Sequence, residues 1–237
     1  MKNHYQIAGL VVAMECSGRT EQQSEKYKCE YQNAIDVDIV PDLERCRQVF
    51  PKIPLDGCVY LATGKSFYKQ LLNFDGFMLH SSAVVKDGRA YLFSADCGTG
   101  KTTHTGLWLK AFPDAYILND DKPALRRIDG TWYAFGTPWS GKHDISVNTG
   151  VPVAGIALVE RGETNRIQRC AAKDAILDIY KQTNRVTGTA EFRMKLLELL
   201  DQLLTEVPIW KLHCNMDEEA AHVSYNAMSQ YEKEESL

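Results

Sequence analysis

Two Asp-Gly pairs, Asp87 with Gly88 and Asp129 with Gly130, each stand between short apolar runs, and they constrain the fold more than any other local feature. Both residue types tolerate the positive φ that a two-residue hairpin turn demands. The first pair separates residues 77–85 from 90–93, and the second separates 124–128 from 132–135. Each pair is therefore expected to join antiparallel strands, which rules out a wholly parallel sheet. Residues 115–118, 154–160 and 208–212 read as further short strands. Helices are expected at 66–73, 102–110, 171–181 and 191–204, the last with Leu196, Leu197, Leu200, Leu203 and Leu204 as an apolar stripe. Asn215 followed by Glu218 predicts the start of a final helix through about residue 230. The expected fold class is α/β grading into α+β, with a mixed, partly antiparallel sheet and flanking helices.

Residues 1–60 combine β-like runs at 7–14 and 34–39 with a polar stretch at 17–28. They are expected to form a β-rich region packed on a larger unit, residues 61–237, that ends in helices. With 44% apolar residues among 237, the chain can bury a substantial core. A net charge of −4 argues against a general nucleic-acid binder. No apolar run is long enough to span a bilayer, and no signal-peptide pattern is present, so no membrane partner is expected. Seven cysteines are scattered singly, without Cys-x-x-Cys pairs, as reduced thiols would be. The expected compartment is the cytoplasm.

Chemistry concentrates at residues 94–105, Ser-Ala-Asp-Cys-Gly-Thr-Gly-Lys-Thr-Thr-His-Thr, between an apolar strand and a helix. Glycines let backbone N–H groups close around phosphate oxygens, a lysine reaches the outer phosphates, and the next hydroxyl holds Mg²⁺. Asp96, Cys97, Gly98, Thr99, Gly100, Lys101, Thr102 and Thr103 are accordingly expected to cradle ATP. The full pattern has glycine where this chain has Ala95. The hairpin at Asp87 makes the strand into the loop antiparallel to its predecessor, unlike the commonest nucleotide-binding folds.

Asp120 and Asp121 follow the first strand after the loop helix. There Asp120 is expected to hold metal with Thr102, and Asp121 to accept a hydroxyl proton. His80, in His-Ser-Ser on the strand paired with the loop strand, is either a core histidine or part of the site. Residues 136–143, Gly-Thr-Pro-Trp-Ser-Gly-Lys-His, offer Lys142 and His143 as cations for a transferring phosphoryl group. Arg161 and Arg166 are weaker phosphate-clamp candidates.

Together Leu-His-Ser-Ser-Ala, Gly-Thr-Gly-Lys-Thr-Thr and Leu-Asn-Asp-Asp resemble the catalytic domain of HPr kinase/phosphorylase and, more distantly, ATP-dependent phosphoenolpyruvate carboxykinase. The resemblance covers roughly residues 77–182. It implies a phosphate loop between antiparallel strands, His80 as the active-site histidine, Lys101 and Thr102 as nucleotide and Mg²⁺ residues, and Asp120 and Asp121 as metal and base carboxylates. Carboxykinases are far longer, and where HPr kinases carry a Glu-Ile-Arg-Gly-like element this chain has residues 136–143. The implied activity is a kinase acting on a serine hydroxyl of a protein or peptide. The alternatives are a small-molecule hydroxyl acceptor and a nucleotide-binding regulatory module without transfer. The resembling kinases tend to be homo-oligomers.

Overall fold

A computed structural model describes residues 2–30, 34–183 and 189–235. The N-terminal part forms a small sheet from β1 (Asn3–Ile7), β2 (Leu10–Met14) and β3 (Val37–Asp38). The β-like run at 7–14 is in fact the turn of a hairpin plus its second strand, because Ala8 and Gly9 take positive φ. Helices α1 (Gly18–Ser24) and α2 (Leu43–Val49) follow, then α3 (Leu55–Leu71). Position 60 lies inside α3, so one helix spans the expected boundary between the two regions. Its first turns escape sequence reading because Gly57, Thr63 and Gly64 are poor helix formers. Gly64 is needed for space, since a Cβ there would stand 2.9 Å from the ring of Trp139, which stacks on Phe67.

Nine described strands share the main sheet: β4 (Gly76–Met78), β5 (Ser81–Lys86), β6 (Arg89–Ser94), β7 (Tyr116–Asn119), β8 (Ala124–Ile128), β9 (Thr131–Phe135), β10 (Gly150–Arg161), β11 (Arg166–Arg169) and β12 (Ile209–Cys214). The order runs β4-β8-β9-β10-β6-β5-β7, with β12 on β10 and β11 on β12. Both expected hairpins form, with Asp87 and Gly88 at φ 51 and 71 and Asp129 and Gly130 at φ 48 and 82. The mixture arises in the twelve-residue β10, which pairs antiparallel with β9 at its start and then parallel with β6 and β12. The fold is therefore α/β with a mixed sheet.

The run at 77–85 is broken into two strands. β4 pairs with β8, whereas β5 lies between β6 and β7, so the chain changes partners at Leu79 and His80. Helices cover both faces: α4 (Lys101–Ala111) and α7 (Glu219–Glu235) on one, α5 (Ala172–Gln182) and α6 (Ala190–Glu206) on the other. Strand alternation divides the core between them. Leu92 of β6 packs with Ile179, Leu196 and Leu200, while its neighbours Tyr91 and Phe93 pack with Leu107 and Trp108. On α6 the buried stripe is Leu196, Leu199, Leu200 and Leu203; Leu197, expected within it, is 44% exposed because it sits about 100° around the helix from Leu196. Asn215 does not form the expected capping box: its Oδ1 accepts from Asp217 N, and the helix begins at Glu219. No described helix is long and apolar enough to cross a membrane.

The α4–α7 contact carries a pH signature. His104 Nε2 accepts from Trp108 Nε1 at 3.2 Å and meets Ser224 Oγ at 3.1 Å, which leaves the ring neutral with its hydrogen on an unpartnered Nδ1. Burial pulls its pKa from 6.5 down to about 4. Above the unfolded value both states are neutral and stability is complete; between 6.5 and about 4 the unfolded chain binds a proton that the folded chain refuses. Chemical denaturation across that window is expected to show stability falling with pH by up to about 1.4 kcal/mol per unit, a slope absent from His104→Asn.

Candidate active site

Strand β5 is the ruler for the site. Its register sets Ser81 opposite Ser94 of β6 and Ala83 opposite Asn119 of β7, so the loop after β6 and the acidic turn after β7 leave the sheet side by side. Ser81 N donates to Asp121 O, and Ser94 Oγ donates to His80 O. Buried Asn119 shapes the acidic turn, with Oδ1 accepting from the backbone N–H groups of Asp121 and Lys122 at 3.0 and 2.7 Å.

The loop runs from Ala95 to the first residue of α4. Gly98 and Gly100 have φ of 79° and 130°, and a Cβ at either would meet nothing within 4 Å. Glycine is required there by backbone conformation, not by crowding. Lys101 is buried, and its Nζ donates to the carbonyls of Ala95 and Asp96 at 2.8 and 3.2 Å. Burial lowers its pKa, since a desolvated ammonium held only by neutral carbonyls loses hydration without gaining a contacting carboxylate. An anion in the loop would suit this cation better than its present partners.

Asp120 is held by hydroxyls. Thr102 Oγ1 donates to its Oδ2 at 3.2 Å and Ser82 Oγ to its Oδ1 at 2.7 Å, with Thr105 Oγ1 3.0 Å from Ser82 Oγ. One carboxylate with one adjacent hydroxyl is a hard-oxygen set of the kind Mg²⁺ uses beside phosphates, where water completes the shell. Thr102 and Asp120 therefore fit that ion.

Asp121 faces the other way. Its Oδ1 lies 3.3 Å from His80 Nε2, and its Oδ2 pairs with Lys122 Nζ. Burial pushes the carboxyl up, but the His80 hydrogen bond and the Lys122 charge outweigh it and hold the pKa below the usual aspartate value. Lys122 Nζ sits 5.5 Å above the Tyr60 ring, which also carries Arg19 at 4.2 Å. Tyr60 OH accepts from Gly141 N, and Gly141 O accepts from Arg19 Nη2 and Gln23 Nε2. The N-terminal region thus braces the turn at residues 141–144. Gly141 presses on Asp121, where a Cβ would stand 3.1 Å from Asp121 Cβ, while Lys142 and His143 are exposed. Among the described residues Lys142 makes no ion pair or hydrogen bond with Asp120 or Asp121.

The structure brings together His80, Lys101, Thr102, Asp120 and Asp121. Asp96, Cys97, Thr99 and Thr103 lie in the loop or the first turn of α4, with Asp96, Cys97 and Thr103 exposed. Arg161 reaches the loop too, donating to the carbonyls of Thr99 and Gly98 at 3.1 and 2.5 Å, whereas Arg166 pairs across from His213 in β11. Sequence reading did not assign Ser82, Lys122 or Gln182. Ser82 could have been found from its place two residues after His80, the spacing at which an extended chain returns to the same side. A surface cavity of about 640 Å³ between α2 and α3 shares no lining residue with this site.

No family model matches this chain, and no curated protein matches it. A solved HPr(Ser) kinase/phosphatase from Coxiella burnetii aligns over 67% of this chain and 96% of its own length, at 13% identity and a TM-score of 0.37. A likeness that slight carries no argument about activity, so the side-chain geometry must carry it.

Ala95 has a structural reason of its own. Its φ is not in the left-handed region, so glycine is not required, and its buried methyl packs with Phe93, Leu107 and Trp108. Restoring glycine in Ala95→Gly is expected to destabilise the chain by about 1 kcal/mol through lost packing and a freer unfolded backbone. Chemical denaturation of the two proteins checks that difference.

Proposed function

We propose that this chain is a kinase that uses Mg²⁺ and ATP and transfers the γ-phosphoryl group to a hydroxyl, the serine of a protein or peptide. The observation that supports this most is the placement of two carboxylates one residue apart in different surroundings. Asp120 shares its oxygens with Thr102 at the loop mouth, and Asp121 turns to His80 and Lys122.

Lys101 and the loop N–H groups would hold the phosphates, and the N-terminus of α4 adds its favourable field. When bound between Thr102 and Asp120, Mg²⁺ would neutralise charge on the β- and γ-phosphates. The acceptor oxygen would bond to the γ-phosphorus as the bond from that phosphorus to the β-phosphate oxygen breaks, with ADP leaving and the hydroxyl proton passing to Asp121. Asp121 is a weak base by its lowered pKa, which suits a reaction in which orienting the hydroxyl counts for more than removing its proton early. Ala95 is the feature favouring a module without transfer, and its packing weakens that reading.

Lys101→Ala is expected to abolish nucleotide binding. Asp121→Asn is expected to bind nucleotide as the wild type does but to lose transfer by about 10²-fold or more, read as label passing from ATP into macromolecules of a cell extract. Unchanged turnover in Asp121→Asn would refute the role given to that carboxylate, and label entering only small molecules would refute the acceptor class.

A further inference from the structure

Helix α3 presents two different faces. On one, Tyr60 lies under Lys122, Thr63 Oγ1 accepts from Trp139 Nε1 at 3.3 Å, and Tyr68 OH donates to Lys122 O at 2.5 Å, so this face supports the acidic turn. The other, with Leu61, Ala62, Lys65, Ser66 and Lys69, lines the surface cavity of about 640 Å³ together with α2 and Phe192 of α6. The large apolar residues of that lining face solvent: Val40, Val49 and Phe50 are 71%, 58% and 46% exposed. A small-molecule site would hold such residues inside, around an enclosed ligand. Exposed apolar lining fits a partner that brings apolar side chains of its own.

Charge gives that partner its sign. Arg45 of α2 and Lys65 and Lys69 from successive turns of α3 line the groove, and among the described residues none of the three forms an ion pair; Lys69 Nζ lies 5.0 Å over the Phe192 ring. The two carboxylates of the lining are committed elsewhere, Asp38 to Lys2 and Asp42 Oδ1 to Arg45 N at 3.0 Å, where it caps α2. The backbone gives the partner its conformation. Most of the lining is helix surface, and the carbonyl of Asp38, the strand residue in it, already accepts from Gln70 Nε2 at 2.9 Å. With no strand edge to pair with, a docked segment must satisfy its own N–H and C=O groups, as a helix does.

We propose that this groove docks an amphipathic helical segment with apolar and acidic side chains, carried by the chain whose serine receives the phosphoryl group. Docking itself stands apart from the kinase reading, whereas the identity of the carrier rests on it. The apolar face of the segment would cover Val49, Phe50 and Phe192, and its carboxylates would meet Arg45, Lys65 and Lys69 in water, where charge pairs select and steer more than they bind. Lys65 and Lys69 are four residues apart and face the same way along α3. The groove and the acidic turn lie on opposite faces of this one helix, about 10 Å across. A segment held in the groove keeps its chain beside the site and raises the effective concentration of its serine without touching the reacting atoms.

The test uses the full-length protein and two fluorescein-labelled synthetic helices, one with leucines on one face and glutamates on the other, the second with lysines in place of the glutamates. Fluorescence anisotropy without nucleotide is expected to show the glutamate peptide binding the wild type, more weakly as salt is added. In Lys65→Glu/Lys69→Glu that affinity is expected to fall about tenfold or more, because like charges then face each other. The lysine peptide is expected to prefer this double variant to the wild type, a reversal that a mere folding defect would not produce. No binding of the glutamate peptide, or equal binding of both peptides by the wild type, would overturn the docking site. Self-association of the wild type that the double variant abolishes would overturn it too, by assigning the groove to a second copy of the chain. Added to a cell extract with labelled ATP, the glutamate peptide is expected to lower the label entering macromolecules severalfold, and unchanged labelling beside firm binding would overturn the identity of the carrier. Complete absence of transfer would sink the kinase reading and the carrier with it, while the binding result would still decide the docking site.

Discussion

Everything at the site depends on β5 being clamped between β6 and β7. Six backbone partners to β6 and three to β7 hold it from both sides, and each neighbour then releases one half of the chemistry: the Gly-rich loop from β6, the Asp pair from β7. His80 immediately precedes β5 and Ser82 lies within it, so neither half can shift without dragging a side chain that contacts the other. Ser82 bonds Asp120, His80 bonds Asp121, and Ser94 returns a bond to His80 O. A wholly parallel arrangement would lack this tight hairpin and would place a crossover between the two strands instead.

Charge is distributed unevenly over the two halves: Lys101 in the loop has no contacting carboxylate, whereas in the acidic turn Asp121 pairs with Lys122 and Asp120 rests on hydroxyls. Lys101 is a buried cation resting on carbonyls, an arrangement that favours an incoming phosphate because desolvation has already been incurred in folding. Asp121 has two cationic or proton-bearing neighbours, and Lys122 in turn rests on Tyr60 beside Arg19. Through Tyr60, Gln23 and Arg19 the N-terminal region reaches the turn at Gly141, which gives residues before position 60 a place in supporting the site.

What was legible in the sequence was local. The Asp-Gly turns declare themselves because positive φ at two successive positions is a property of those residue types, and the loop declares itself because glycine at 98 and 100 meets the same demand. The break at Leu79 and His80 was hidden, since whether an apolar run continues as one strand depends on which strands lie alongside it. The start of β10 was hidden by Gly150 and Pro152, residues that argue against a strand until β9 is seen to pair with them. Gln182 had no signal at all, because its hydrogen bonds to His80 and Asp96 exist only where the end of α5 meets segments about a hundred residues earlier. Ala95 illustrates the converse: a departure from a motif that looks like damage in sequence is a core methyl in the folded chain.

The most direct test of the proposed kinase site is a crystal structure with Mg²⁺ and a non-hydrolysable ATP analogue. Phosphates are expected against the backbone N–H groups of residues 96–101, with Lys101 Nζ turned from the carbonyls of Ala95 and Asp96 onto a phosphate oxygen and the metal between Thr102 and Asp120. A nucleotide bound elsewhere, with Lys101 still on those two carbonyls, would contradict it.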